Sequence, residues 1–499
     1  MKKIYICTLT TLLLLGQMSC KKPNDFGNTN VDPGNTTKPI VSALLSQVEA
    51  NLGNYVSTNN LGQFGGEYAQ YFTETQYPGI STYSLPQLSF TGYYTGDLND
   101  CQNIINLNQS ANSVAVAKIM QQFIFWEITD AWGDVPYSQA LQGLKAITPV
   151  YDRQEDIYKG ILATLASAQA SMDNGPIPGD FIYNGDVAAW KRAANSLSML
   201  VAIQLSNKVP GAADYAATAF NAALTAGGIT ENAQNFAVTY PGGAFKDPWW
   251  NLYNGRTDFA ESSVVTGLTA ASGDGRTVPF GGDYTDPGQV TGGTITSAIG
   301  IPPGLSRGDV TAFTTANPKW ALVMRADKRT ENGTVVIISA AEVALARAEA
   351  FNLGWTTITQ EPLGLQGVYQ KGIALSFEQW GLAAPSASYY TQTNVDISTT
   401  PSTDTLNSLN VRHISEQRYL ASYPDGHAAW NIWRKSNFPK LSPAPGATNA
   451  SGKIVRRFTY ATSELQTNGA NVKAAIAREA GLNPGTDSQD NTVWWDSAP

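Results

Sequence analysis

The chain has 499 residues, of which 42% are hydrophobic, 10% aromatic and only 14% charged, with a formal net charge of −8. That balance suits a globular body with a large core and excludes a disordered chain. An acidic chain without a basic stripe is a poor nucleic-acid binder, because phosphate binding rests on clustered Lys and Arg.

The N-terminus carries Lys2 and Lys3, an apolar run over residues 4–15, and then Gly16, Gln17, Met18, Ser19 and Cys20. Charge, a short apolar core and small residues before a break are the parts of a secretory signal. The run is too short to span a hydrocarbon core, which needs about 20 helical residues. It reads as a removable signal, 1–19. Cys20 is then either an ordinary residue after the cleavage site or, with Ser before it, the lipid-bearing first residue of a lipoprotein. The second reading is the expectation taken forward, and it makes a stable tether because each buried CH₂ adds ~0.8 kcal/mol. Loss of Lys2 and Lys3 from a net charge of −8 leaves −10. Of the other cysteines, Cys7 lies in the signal and Cys101 is left alone in a helical stretch, as a small buried apolar residue without a disulfide partner.

Residues 20–37 are polar and turn-rich and read as a spacer. A single body follows over 38–499, with a helical scaffold at 38–228 and 338–480 around a loop-rich insertion at 229–335. In 186–207, Trp190, Ala194, Leu197, Val201 and Leu205 mark one apolar face, with Asp186 as N-cap. Asp152 with Glu155 and Ser339 with Glu342 have capping-box spacing. Further helices are expected near 363–380, 411–422, 425–436 and 461–480. Stacked helical hairpins resembling tetratricopeptide units fit this spacing without a clean 34-residue repeat. The insertion is rich in Gly, Thr, Pro and aromatics, and so long an aperiodic stretch points to function carried on loops.

Two histidines, His413 and His427, and no Cys-x-x-Cys pair leave no zinc site of usual composition. No nucleophile elbow, phosphate loop or calcium loop is present, and no cofactor or metal is expected. Carboxylates are plentiful, so a surface glycoside hydrolase working with two carboxylates stays open as the alternative to a non-enzymatic binding protein.

Blocks spread along the chain carry a resemblance. They are Asn24 to Asn30 after the anchor, Thr129-Asp130-Ala131-Trp132-Gly133-Asp134-Val135-Pro136-Tyr137-Ser138-Gln139-Ala140-Leu141, and Tyr183-Asn184-Gly185-Asp186 with Trp190 to Leu197. Ile338 to Val343 with Arg347 to Ala350, Trp430 to Lys435 with Phe438-Pro439, Arg456-Arg457-Phe458 and Trp494-Trp495-Asp496 complete them. Together they resemble the SusD/RagB family of nutrient-binding outer-membrane lipoproteins, in its SusD-like branch. Asp274-Gly275-Arg276 stands where that family usually has Asp-Pro-Arg, and residues 414–417 lack its usual Lys-Trp. The resemblance implies a mostly α, tetratricopeptide-like superhelix and a lipoprotein on the outer face of the outer membrane. It further implies capture of an oligosaccharide or other nutrient and delivery to a SusC-like TonB-dependent transporter, with no catalytic residues. The blocks themselves read as scaffold: turns, helix caps and ion pairs among Arg347, Glu349, Arg434, Arg456 and Arg457.

Sugars stack their C–H faces on aromatic rings and bond their hydroxyls to amides and carboxylates. Trp249, Trp250 and Tyr253, flanked by Asp247, Asn251 and Asn254, offer both kinds of group; Tyr77, Tyr83 and Tyr284 are further candidates. Each has a competing role as a core anchor, since aromatic rings bury large area.

Overall fold

The computed structural model describes residues 39–57, 60–85, 87–253, 257–281, 298–402, 404 and 408–496. The signal, Cys20, the spacer and Tyr284 lie outside the described residues. The first half holds α1 (Val41–Tyr55), α2 (Asn60–Tyr68), β1 (Phe72–Glu74), α3 (Thr91–Thr95), α4 (Asp97–Leu107), α5 (Ala111–Trp132), α6 (Gln154–Ser171), α7 (Val187–Gln204) and α8 (Tyr215–Ala226). Next come β2 (Phe236–Thr239), β3 (Phe259–Glu261), α9 (Ser263–Ala271), α10 (Thr277–Gly281), α11 (Arg307–Ala316) and β4 (Thr334–Ile338). The last part holds α12 (Ala340–Asn352), α13 (Gly364–Gln379), α14 (Leu409–Ala421), α15 (Gly426–Ser436), α16 (Thr462–Thr467), α17 (Gly469–Ile476), β5 (Ala480–Gly481) and β6 (Asn491–Thr492). Consecutive helices pack as pairs, α5 on α6, α7 on α8, α12 on α13 and α14 on α15, giving the expected mostly α, tetratricopeptide-like body. From Val41 onward the chain forms one unit. Among the described residues no helix is long and apolar enough to cross a membrane.

Local sequence explains most of these elements. Asp186 caps α7 by accepting from the Ala189 N–H at 3.0 Å. The apolar face of that helix is fully buried, and so are Asn195 and Ser196, because α6, α8 and α12 surround it. Asn195 donates to the Gly227 carbonyl, and the Ser196 hydroxyl accepts from the Ile229 N–H, so the buried polar groups are satisfied. The Ser339–Glu342 capping box opens α12 as expected.

The Asp152–Glu155 capping box does not form. Arg153 holds the cap position without a side-chain bond, and Asp134 reaches across the hairpin to accept from the Gln154 N–H at 2.8 Å. Asp152 is drawn away to the turn at 136–138, where it accepts from the N–H groups of Tyr137 and Ser138 and from the Ser138 hydroxyl. Arg347 and Glu349 do not pair with each other either. Arg347 bonds Glu361 at 2.6 Å, while Glu349 takes both Arg418 and Lys435, because neighbouring helices bring cations to each face of α12.

The other family blocks serve the same structural end. Buried Arg434 lies 3.6 Å over the Trp430 ring and donates to the carbonyls of Asp130 and Arg456. The Asp130 carboxylate accepts from Tyr158, Asn431 and Trp495. Arg456 pairs with Asp496, and Arg457 with Glu479 and Asp487. Asp274 and Arg276 form a fully buried pair at 2.6 Å, and Arg276 also donates to Gln417 of α14. Cys101 is a buried free thiol, pushed well up by burial.

The segment 229–335 is more ordered than its composition suggests, with α9 to α11, two strands and the start of β4 inside it. It leaves and returns through one antiparallel ladder, β2 with β4, which pairs Phe236 with Ile338 and Thr239 with Thr334. A second ladder, β1 with β3, pairs Phe72 with Glu261 and Glu74 with Phe259 and ties the excursion to the first half. Helices α2 and α15 cross backbone against backbone. A Cβ on Gly426 would stand 2.1 Å from the Gly66 nitrogen and 2.2 Å from the Gly62 carbonyl oxygen, so only glycine fits there.

Candidate functional site

Three structural junctions meet around a cleft of about 520 Å³. One wall is the stretch from Met324 to Val336, which runs into β4. The opposite wall is the end of α13, with Glu378, Gln379 and Trp380; the base is the turn from Ala421 to Asp425 between α14 and α15. Asn232 and Asn235, before β2, and Trp249 close the remaining sides.

Three rings line the cleft, Trp249, Trp380 and Tyr423, and buried Phe72 and Phe280 link them from behind. Trp249 meets Phe72 edge-on at 5.9 Å, Phe72 meets Tyr423 at 6.3 Å, and Tyr423 stacks on Phe280 at 4.3 Å. Trp380 packs edge-on against Phe280 at 4.9 Å. The Tyr423 hydroxyl accepts from the Met324 N–H and donates to the Phe280 carbonyl, which fixes this floor to the wall above it. The rim is polar and exposed, with Asp327, Asn332, Thr334 and Glu378 reaching solvent.

Several polar atoms of the lining residues are buried without a hydrogen-bond partner among the described residues. They are Asn232 Oδ1, Gln379 Oε1 and Trp380 Nε1. Asn232 spends its amide hydrogens on the Leu375 carbonyl and on Glu378, which leaves its oxygen unused. Each such atom costs about 1–3 kcal/mol until something bonds to it.

The carboxylates at the base are already engaged. Glu342 accepts from the Ser339 N–H and hydroxyl with one oxygen and from the Ser422 hydroxyl with the other. Asp425 caps α15, accepting from the N–H groups of His427 and Ala428. Burial raises both carboxyls, and for Asp425 the neighbouring Glu127 and Glu342 add to the rise. Beneath them His427 Nδ1 lies 2.8 Å from Glu127; burial holds the imidazole down at about 4 and pushes Glu127 well up. Among the described residues no group of three or more His, Cys, Asp or Glu is arranged to hold a metal ion.

The residues singled out from the sequence are distributed unevenly. Trp249, 5% exposed, forms one side of the cleft, its N–H donating to Asp247 Oδ1 at 2.8 Å. Trp250 is half-buried outside the cleft, with Lys246 Nζ 3.9 Å over its ring and Glu331 3.1 Å from that lysine. Tyr253 is fully buried; its hydroxyl donates to the Phe259 carbonyl and accepts from the Val323 N–H, and Arg329 covers its ring. Tyr83 is 2% exposed, and its hydroxyl accepts from the Ala444 N–H. Tyr77 is 62% exposed with Arg307 5.8 Å over the ring, and it does not line the cleft. Tyr284 and Asn254 lie outside the described residues. Sequence reasoning missed Trp380, Tyr423, Asn232 and Gln379. The turn signal Tyr423-Pro424-Asp425-Gly426 between two helices was the one local hint to them.

An acidic, helical-hairpin body with an aromatic-floored, amide-edged cleft has the makings of a small-molecule binding protein. A family described as "Starch-binding associating with outer membrane" matches residues 33–461, and the chain belongs to this SusD-like family. Solved structures similar to it include a chitin-binding protein at 24% identity and TM-score 0.73, over 92% of this chain and all of that one. A chitin-binding SusD homolog from Flavobacterium johnsoniae aligns at 19% identity and TM-score 0.75, over 92% of this chain and 99% of the other. A SusD homolog from Bacteroides fragilis aligns at 23% and 0.74, over 93% and 100%. At these identities the likeness speaks to fold. No curated protein matches the chain.

Proposed function

We propose that the protein captures an oligosaccharide in the cleft beside Trp249 and passes it to a SusC-like TonB-dependent transporter in the outer membrane. The observation that carries this reading is a cleft walled by the rings of Trp249, Trp380 and Tyr423 and edged by the amides of Asn232, Asn235, Asn332 and Gln379. Amides beside aromatic rings are the chemistry a sugar requires, and the volume suits one or two sugar rings. Family membership supports a glycan or related nutrient as ligand, and chitin is bound by two of the similar structures. Of the sequence candidates, Trp249 contributes from the cleft, and Trp250 and Tyr77 are accessible enough for secondary contacts. Glu342 and Asp425 are committed as helix caps, which favours binding over a two-carboxylate hydrolysis.

Calorimetry against chito-, malto- and xylo-oligosaccharides tests the reading. Binding without release of reducing ends is expected, and Gln379→Ala should weaken it at least tenfold with an unchanged melting temperature. Wild-type affinity in that variant removes the cleft, and turnover of the glycan removes the binding-protein reading. The tether and partner have their own test. Cys20→Ala should release the chain from membranes, and the native chain should co-purify with a large outer-membrane barrel.

A further inference from the structure

The cleft is far more acidic than the chain that builds it. The whole chain has 40 acidic residues to 32 basic ones. The lining of the cleft holds Asp327, Glu342, Glu378 and Asp425 against a single cation, Lys328.

These carboxylates are not equally available. Glu342 and Asp425 lie at the base as helix caps, and burial favours their protonated forms. Asp327 is covered by Arg325 at 2.6 Å, and Lys328 Nζ lies 4.0 Å from it. Glu378 stands apart. It is exposed near the end of α13, its carboxylate accepts from Asn232 Nδ2 at 3.1 Å, and no cation of the described residues pairs with it. An uncompensated carboxylate therefore stands at the mouth of a cleft walled by Trp249, Trp380 and Tyr423.

Such a lining discriminates by charge. A uronate or a sulfated sugar would bring its anion against Glu378 and Asp327, with Lys328 already beside Asp327, at a like-charge cost. A neutral sugar leaves Glu378 without a counter-charge. An ammonium suits both features at once, because it pairs with a carboxylate and is attracted to the faces of aromatic rings.

We propose that the cleft selects a cationic glycan, an oligosaccharide of amino sugars whose free ammonium groups pair with Glu378 beside the aromatic wall. The glycan part rests on the reading given under Proposed function; the charge of the ligand is what it adds. Calorimetry on the full-length, detergent-solubilised chain at about pH 6, where amines are protonated, compares tetraglucosamine, its fully N-acetylated counterpart, tetragalacturonate and tetralysine. Tetraglucosamine should bind about fivefold tighter than the N-acetylated form, with the ratio shrinking as salt is raised, and tetragalacturonate should not bind. In Glu378→Gln, which keeps the acceptor for Asn232, the ratio should fall to near one while the melting temperature stays at the wild-type value. A ratio near one in the wild-type chain overturns the proposal and leaves the glycan reading in place. A ratio that survives in Glu378→Gln overturns it because the carboxylate is then not the selector. Tetralysine binding as tightly as tetraglucosamine overturns it because ammonium recognition then needs no sugar. If none of the oligosaccharides binds, the glycan reading falls and the proposal falls with it.

Discussion

Asp247→Asn isolates one electrostatic cost at the edge of the site. Asp247 is buried and accepts from the Trp249 N–H at 2.8 Å, and burial lifts its carboxyl from 3.8 to about 6, against the pull of that hydrogen bond. A carboxyl raised in the folded state keeps its proton while the unfolded chain loses it. Its contribution is therefore most favourable below pH 3.8 and is lost as pH rises through about 6. About two pH units at 1.36 kcal/mol each make a cost of about 3 kcal/mol at pH 7.5, falling to about 0.5 kcal/mol at pH 4. Asparagine has the same shape, keeps the acceptor for Trp249 and never ionises. Urea unfolding followed by tryptophan fluorescence should find the variant more stable than wild type by about 3 kcal/mol at pH 7.5 and nearly equal at pH 4. A gap that does not change with pH, or a less stable variant at pH 7.5, refutes the argument.

Other substitutions probe the scaffold and the tryptophans. Trp249→Ala empties a core position and should cost about 3–5 kcal/mol, whereas Trp250→Ala loses chiefly its lysine contact and should cost about 1 kcal/mol or less; thermal melts separate the two. Glu349→Gln strips the charge shared by Arg418 and Lys435, and chemical unfolding at pH 7 should show a loss of about 3–5 kcal/mol. Gly426→Ala drives a Cβ into backbone and should cost about 3 kcal/mol or prevent folding. Gly469→Ala, where a Cβ meets open space, should be neutral in the same melts.

The helical part of the fold was readable where the cause is local. Asp186 and the Ser339–Glu342 box sit next to the amides they satisfy, so sequence spacing finds them. Asp134 satisfies the start of α6 from across a hairpin, and no spacing rule distinguishes it from the nearer Asp152. The same limit applies to Arg347, whose partner Glu361 lies in the connection before α13, and to Glu349, whose partners arrive from α14 and α15. In 229–335, Gly and Thr masked α9, a helix whose Thr266 and Thr269 hydroxyls fold back onto its own carbonyls. Residue type names the side chains able to stack on a sugar but not those that face outward. Tyr83 and Tyr253 have the same composition-level credentials as Trp249, yet both are pinned in the core by their hydroxyls. The cleft gathers residues near 232, 249, 332, 379 and 423, and only the fold brings those together.

The crossing of α2 and α15 has a bearing on how such a cleft changes its ligand. Tyr423 and Asp425, at the base, stand immediately before Gly426, where main chain rests on main chain. A contact of that kind has no rotamers to absorb an error, so the base moves only if a whole helix moves. The excursion between β2 and β4, by contrast, is tied down at its mouth by their ladder and along its length by β3, Arg276 and Phe280. The rim at 330–332 carries none of these ties and is the part of the cleft free to vary. Exchanging residues 330–332 alone for those of a relative with a different ligand should shift the preference while leaving the floor in register.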